Sequence, residues 1–407
     1  MNTSISPDDI RWLVGPEGSG LLAELSRQAG SLAALAERLK RRFSPERVHL
    51  ALEQIELRRR AAGKFPDAQK MFFLPETIQQ ATDFYVARYK ARLFPAGEPV
   101  AEICCGIGGD LLGLAARGPV TAVDLSDAAL VVAEANVRRL LPEKNARDCQ
   151  FCAEDARQFR VDRFTAWHID PDRRAGGRRT TRLENYQPGP ATIDRLLLEC
   201  PNGAIKLAPA TETPERWQRE AELEWIARDR ECRQQVAWFG DLAGKPGLRR
   251  ATTLRSRPDR SMIVGTVVGE ANLRSPVVDR LGRYVFDPDS AVIAAGLTGQ
   301  LARQHALAAI HPAASYLTGD DPIDEACLQC FEVTDELPFD RKRLRALVRG
   351  RGIGRLEIKV RGVEGNPDQI RRELHLQGSD EAVLLIARAG RRVMAILARR
   401  IKPRDGA

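Results

Sequence analysis

The 407-residue sequence predicts an α/β fold, a largely parallel sheet with crossover helices, placed between an N-terminal helical module and a C-terminal α+β module. Three observations predict it. From Pro99 to about Ala210, short apolar runs alternate with helical patterns, the mark of crossover connections. Between Glu102 and Asp110 a strand pattern runs into glycines and then a helix, and the tail repeats strand and helix patterns in the order β-α-β-α-β-β.

Taken in order, residues 1–93 read as helical. LLAELSRQAGSLAALAERLKRRF spaces its apolar residues by three and four, one buried stripe per helix. Ser44-Pro45-Glu46 then offers a capping serine and a proline at the first helical position before RVHLALEQIELRRRAA. A last helical element near Glu76 to Leu93 leads into the sheet domain, expected over 94–286. Its strands are VAEICC, VTAVDL, CQFCAE, TAWHID and GAIKLA, with LLGLAARG helical after the first and SDAALVVAEANVRRLL after the second, capped by Ser126. ELEWIARD, RECRQQVAWFG, RRATTLRS and SMIVGTVVG read as strands that complete or extend it. Residues 287–325 are expected to be a helical linker, with helices from about Asp289 to Ser315. In 326–403, FEVTDELPF is a strand, DRKRLRALVRGRG a helix, RLEIKVRG a strand and NPDQIRRELHL a helix with Asn366 as cap; AVLLIARAG and RRVMAILARRI close it as a hairpin.

Composition narrows the class. Hydrophobic residues make up 43% and charged residues 29%, an ordinary globular balance. No apolar run approaches the roughly 20 residues that span a bilayer, and the polar, acidic start MNTSISPDDI has no secretory pattern, so a cytoplasmic protein without a membrane partner is expected. Eight cysteines in so long a chain do not make a disulfide scaffold. Cys149/Cys152 and Cys327/Cys330 have C-x-x-C spacing, but they lie far apart and no glycine knuckle follows either, so no metal is expected. The net charge of +8 is concentrated: residues 338–407 carry 18 Lys or Arg against 8 Asp or Glu. Such a tail favours a polyanionic partner.

The chemistry centres on Glu102-Ile-Cys104-Cys-Gly106-Ile-Gly108-Gly109-Asp110. Glycines after a strand let the backbone approach a nucleotide-like ligand. A dinucleotide is a poor fit, because the third glycine of G-x-G-x-x-G is replaced by Leu111. S-adenosylmethionine has no phosphate and needs an acid near its amino group, a place flanked by Glu102 and Asp110. Asp124, followed by Leu125, ends the second strand where ribose hydroxyls would be held, and Asp155, followed by Ala156, ends the third where an adenine amine would sit. The fourth strand ends in His168-Ile-Asp170-Pro171-Asp172-Arg173-Arg174. There Asp170 is expected to hold an acceptor amine and stabilise its developing charge, with Pro171 and Arg173 beside it, whereas His168 is expected to pack within its strand. Arg173, Arg174, Arg178, Arg179 and Arg182 form a loop of forked phosphate donors or a solvated loop. No Pro-Cys pair follows the strand, which argues against covalent 5-methylcytosine chemistry.

On KFPDAQKMFFLPETIQQAT, AEICCGIGGD, VTAVDLS, IDPDRR with NYQPGP, IKLAP and PFDRKRLRALVRGRGIGRLEIKVRG, the chain resembles bacterial class I methyltransferases that carry a C-terminal THUMP-like domain. The resemblance covers most of the sequence. It implies a Rossmann-like methyltransferase sheet, a THUMP-like, ferredoxin-like tail, S-adenosylmethionine as cofactor at Gly106, Gly108, Asp124 and Asp155, and Gln80 and Thr82 lining the pocket. Arg174 and Tyr186 are placed with the substrate residues. THUMP domains proper bind RNA, so the resemblance also implies RNA, tRNA or rRNA, with Arg341, Lys342, Arg345, Arg349, Lys359 and Arg361 as phosphate contacts. One departure stands out: enzymes acting on exocyclic base nitrogens usually follow the acid with Pro-Pro and an aromatic residue, and this chain has Asp172 and Arg173. An arginine plane also stacks on bases. Methylation of a protein or small molecule, or RNA binding without turnover, remain open alternatives.

Overall fold

A computed structural model describes residues 6–27, 39–175, 178–312, 315–389 and 391–401. The chain divides into two compact units, one of residues 1–221 with 236–246, the other of 222–235 with 247–407. Among the described residues no helix is long and apolar enough to cross a membrane.

The first unit opens with the helices Pro7–Val14, Pro16–Ser26 and Pro45–Ala61. Ser44 caps the third through a hydrogen bond from the Arg47 amide, with Pro45 at N1 as its sequence predicts. Along this helix Gln54 brackets the backbone of Phe73, donating to its carbonyl at 2.8 Å and accepting from its amide at 2.7 Å, and Arg58 donates to the Met71 carbonyl. These bonds satisfy backbone groups that no strand or helix pairs. They fix the course of the strap that follows, residues 74–82.

The sheet of this unit holds β1 (Val100–Ile103), β2 (Val120–Asp124), β3 (Cys149–Ala153), β4 (Ala166–Ile169) and β5 (Gly203–Leu207) in the order β5-β4-β1-β2-β3. Every one of these pairings is parallel. All residues of β1, β4 and β5 are buried, so these strands read as continuous apolar runs with a few polar side chains inserted, and those insertions carry the chemistry. Gly203 must lack a side chain because a Cβ would lie 2.4 Å from the Trp167 ring. From β1 the chain winds outward through β2 to β3 and then returns to β4 on the other side. That reversal opens a crevice at the carboxyl ends of β1 and β4.

In the second unit, Arg249–Ser256 pairs in parallel with Glu222–Arg228 and antiparallel with Met262–Gly269, all three being strands the alternation predicts. The tail folds in the predicted order. Strands Leu328–Pro338, Arg392–Arg400, Asp380–Ala389 and Ile353–Arg361 lie side by side, and the helices Arg341–Gly350 and Pro367–Leu374 bury Leu344, Val348, Ile370 and Leu374 against Leu356, Ile358, Leu384 and Leu397. Asn366 caps the second helix by accepting from the Asp368 and Gln369 amides. The opposite face is also covered, by Val285, Ile310 and Tyr316 against Phe331, Leu385 and Ile396. The helices expected from Asp289 to Ser315 are confined to Ser290–Ala294 and Thr298–Gln304; beyond them Ala308–Ala309 and Leu317–Gly319 are short strands that join Tyr284–Pro288 and extend the tail's sheet to seven strands. Segments of two, three and five residues are too short for periodicity to reveal, and cross-strand pairing decides them.

Candidate active site

At the crevice the first unit forms an open cavity of about 1140 Å³, bordered by the loop after β1, the ends of β2, β3 and β4, the strap 74–82 and the helix residues Ile10, His49, Glu53, Ala128 and Ala129. Asp124 closes β2 and ties two segments together. Its Oδ2 accepts from the Gly106 amide at 2.8 Å and its Oδ1 from the Ser126 amide at 2.9 Å. Burial raises its carboxyl above the usual range, opposed by those same bonds. Gly106 lies at φ +52 with nothing within 4 Å of an added Cβ, so any side chain would project into open space beside the cavity it borders. Cys104 shares the left-handed region at φ +57 and also borders the cavity, as do Leu125, Asp155 and Ala156. Leu125 is 71% exposed, a large apolar surface at the cavity wall rather than in the core. Asp155 accepts from the amide and guanidinium of Arg157, hydrogen bonds that hold its carboxyl low.

Gly108 departs from expectation. At φ +88 it lets the loop turn, but an added Cβ would meet Leu111 and Ala133, and it is the neighbouring Gly109 that borders the cavity. Those contacts at Gly108 are of ordinary length, so its positive φ is what calls for glycine, whereas at Gly109 a Cβ would lie 2.8 Å from the Thr82 amide nitrogen.

Behind the loop lies a chain of buried polar groups. His168 on β4 bonds through Nδ1 to Glu102 of β1 at 2.8 Å, and its Nε2 lies 3.0 Å from the Lys90 ammonium. Lys90 lies 2.8 Å from Asp110, whose other oxygen accepts from Thr82 at 2.6 Å. Every one of these side chains is at least nine-tenths buried. Burial and the neighbouring Asp110 push the Glu102 carboxyl well above 4.5, and burial with Lys90 pushes His168 well below 6.5, so the imidazole is neutral. Burial also works against the charge on Asp110, yet the Lys90 ammonium, with Lys206, holds its carboxyl well below the usual range. Ligand atoms of Glu102, Asp110 and His168 lie within 4.8 Å of one another, a spacing that suits a metal ion, but the Lys90 ammonium stands beside two of them. His168 does pack within the sheet, as expected, and it also bonds to Glu102 and, through Lys90, connects it to Asp110.

The acceptor edge follows β4. Asp170 has its amide bonded to the Ile103 carbonyl and its Oδ2 2.5 Å from the Lys206 ammonium on β5. Asp172 pairs through its backbone with Gln187, which brings Pro188 and Gly189 to the wall beside Pro171 and Arg173. Gln80 donates from Nε2 to Asp172 at 2.9 Å, and Thr82 is buried against Asp110, so both border the cavity as expected. Two expectations are corrected. Arg174 donates to the Glu76 carbonyl of the strap and does not itself border the cavity, and Tyr186 is 2% exposed, its hydroxyl bonded to Thr211 and to the Ala208 amide, so it anchors the end of β5 instead of facing a substrate. The side chains of Arg178 and Arg179 lie outside the described residues. Lys90 and Lys206 were missed because a lysine in an apolar run reads as a solvated stem; the only signal was that each interrupts a stretch otherwise fit for burial.

In the tail, Arg341, Lys342 and Arg345 are exposed on the first helix, Arg341 paired with Glu373 and Arg345 donating to the Glu373 carbonyl. Lys359 and Arg361, expected at phosphate, instead converge with Arg230 on Asp287, which is fully buried. Their charge is spent on that carboxylate.

A parallel sheet of order β5-β4-β1-β2-β3, with a glycine loop and strand-end acids around one cavity, defines an α/β enzyme that binds a nucleoside-type cofactor at its switch point. Over 365 residues the chain is 34% identical to proteins of Mycobacterium tuberculosis strains CDC 1551 and H37Rv, each described as an uncharacterized S-adenosylmethionine-dependent methyltransferase; the match spans 86% of this chain and 96% of each relative. The chain belongs to the S-adenosylmethionine-dependent methyltransferases, and the fold is that of class I. A family model described as THUMP domain-like matches residues 328–400, and one described as a domain of unknown function (DUF8688) matches 6–61. A solved Porphyromonas gingivalis W83 protein assigned as a methyltransferase shares the fold, with TM-score 0.78 and 19% identity over 97% of this chain and 99% of that one. The cofactor is therefore S-adenosylmethionine, and the cavity suits it: open space at Gly106 and an acid on each of two neighbouring strand ends.

Proposed function

We propose that this methyltransferase modifies a nitrogen of structured RNA, transfer or ribosomal, at the Asp170 edge of the cavity. The observation that carries the reading is the exposed basic helix Arg341–Gly350 in the segment matched as THUMP domain-like. Arg341, Lys342 and Arg345 on that helix contact phosphate, a sequence-independent attraction that positions the substrate. Methylation of protein or of a small molecule is the competing reading.

S-adenosylmethionine supplies an electrophilic methyl group. Asp124 accepts from the ribose hydroxyls, Asp155 from the adenine amine, and Glu102 and Asp110, with Cys104, Gly106, Leu125 and Ala156 around them, shape the remaining wall. Asp170 accepts a hydrogen bond from the acceptor N–H and stabilises the positive charge that develops on nitrogen. Pro171 and Arg173 flank it, and Gln80 and Thr82 fix the strap that forms the opposite side. Because the displacement needs no strong acid or base, the residues contribute mainly by orientation.

The test is transfer of labelled methyl from S-adenosylmethionine to total RNA and to total protein of a strain that lacks this enzyme. Labelled RNA is expected. Label in protein alone would retire the RNA reading. Asp170→Ala should leave cofactor affinity in place and lower turnover.

A further inference from the structure

The lysine of IKLAP has no part in the function argued so far. Lys206 lies on β5, the strand beside β4, and its side chain is 5% exposed. Its ammonium makes two bonds, to Asp170 Oδ2 at 2.5 Å and to the Gln80 carbonyl at 3.0 Å. Gln80 in turn donates through its side chain to Asp172. One ammonium thus joins the carboxylate at the end of β4 to the strap that forms the facing wall.

We propose that Lys206 is a positioning residue that presents Asp170 to the acceptor nitrogen. The inference rests on the role given to Asp170 above. A carboxylate has two oxygens, and Lys206 occupies one, so the other is left as a single directed acceptor while rotation about the Cβ–Cγ bond is stopped. The pair also brings no net charge to the acceptor edge, which suits a neutral nitrogen with a free lone pair better than a protonated alkyl amine. The same ammonium holds Gln80, so the strap and the carboxylate keep a fixed distance. Two charges are costly to bury unless paired and hydrogen-bonded, and here both are. A lysine retained at this depth only for packing would not need to reach both groups.

The experiment is a double-mutant cycle with Lys206→Met and Asp170→Asn, measuring kcat and KM for labelled methyl transfer to total RNA from a strain lacking the enzyme, with S-adenosylmethionine affinity by calorimetry. Lys206→Met should lower kcat about 10- to 100-fold while changing cofactor affinity less than about twofold. It should add little further loss in the Asp170→Asn background. Lys206→Arg should keep much of the activity, since a guanidinium can reach the same carboxylate. Unchanged kcat in Lys206→Met, losses that multiply independently with Asp170→Asn, or a loss confined to cofactor affinity would each overturn the proposal. If Lys206→Met fails to fold, the cycle is run with Lys206→Gln, whose kcat must then fall in the wild type more than in Asp170→Asn. Should protein and not RNA carry the label, the RNA reading falls, and the same cycle on that acceptor still decides the part of Lys206.

Discussion

Both units bury a carboxylate among cations, and they use it differently. Asp287 in the second unit is fully buried and faces Arg230, Lys359 and Arg361, with Asp289 and Glu357 beside two of those cations. Asp170 in the first unit has one cation, Lys206, and one side open to a cavity. The first arrangement is closed on itself and leaves nothing for a ligand; the second is satisfied by half. A buried charge by itself therefore does not mark a site. What marks one is a charge whose partners leave part of it facing open volume.

This contrast can be broken by removing either acid. The largest effect is expected at Asp287→Ala, which removes the buried acid that Arg230, Lys359 and Arg361 share and should cost about 3–5 kcal/mol of stability, read by urea unfolding, while leaving S-adenosylmethionine affinity intact. Unaltered stability would mean the hub is hydrated and the comparison false. Next, Asp124→Ala should weaken cofactor binding by about 10- to 100-fold, the loss of about 1.5–3 kcal/mol of hydrogen bonding to the ribose, measured by calorimetry. If affinity holds, the ribose lies elsewhere.

A smaller effect sharpens the contrast within the tail. Changing Arg341, Lys342 and Arg345 together to alanine should flatten the dependence of log affinity for RNA on log salt by about 2 to 3. Changing Lys359 and Arg361 should instead lower the melting temperature and leave that slope alone, because both already serve Asp287. Equal slopes in the two variants would erase the distinction between exposed and committed cations.

The smallest effect depends on pH. Burial and Asp110 raise the Glu102 carboxyl above its ordinary 4.5 in the folded protein. A carboxyl raised on folding contributes stability that is complete below the unfolded value and lost as pH rises through the folded one. Glu102→Gln cannot ionise and should escape that loss. Its melting temperature relative to the unaltered protein should therefore climb between pH 5 and pH 9; a constant difference would show that Glu102 does not titrate on its own in this range.

Much of this was legible beforehand, for reasons that differ by element. The parallel strands were legible because they are apolar runs separated by helix-length patterns, and Asp124, Asp155 and Asp170 because each follows such a run directly. The capped helices at Ser44, Ser126 and Asn366 follow from local hydrogen bonding alone. Tyr186 misled because a tyrosine in a glycine- and proline-rich loop looks available, whereas its hydroxyl is used to hold β5. Lys359 and Arg361 misled for the reverse reason, since their acid lies more than seventy residues earlier in the chain.

By itself, the sequence determined where strands end, which acids stand at those ends and which helices carry exposed charge, because all three depend on neighbours a few residues away. Only the tertiary structure decided which charges cancel. Lys206 meets Asp170 and Lys90 meets Asp110 across different elements, and the energy of such a pair depends on separation and burial, quantities that exist only once the chain has folded.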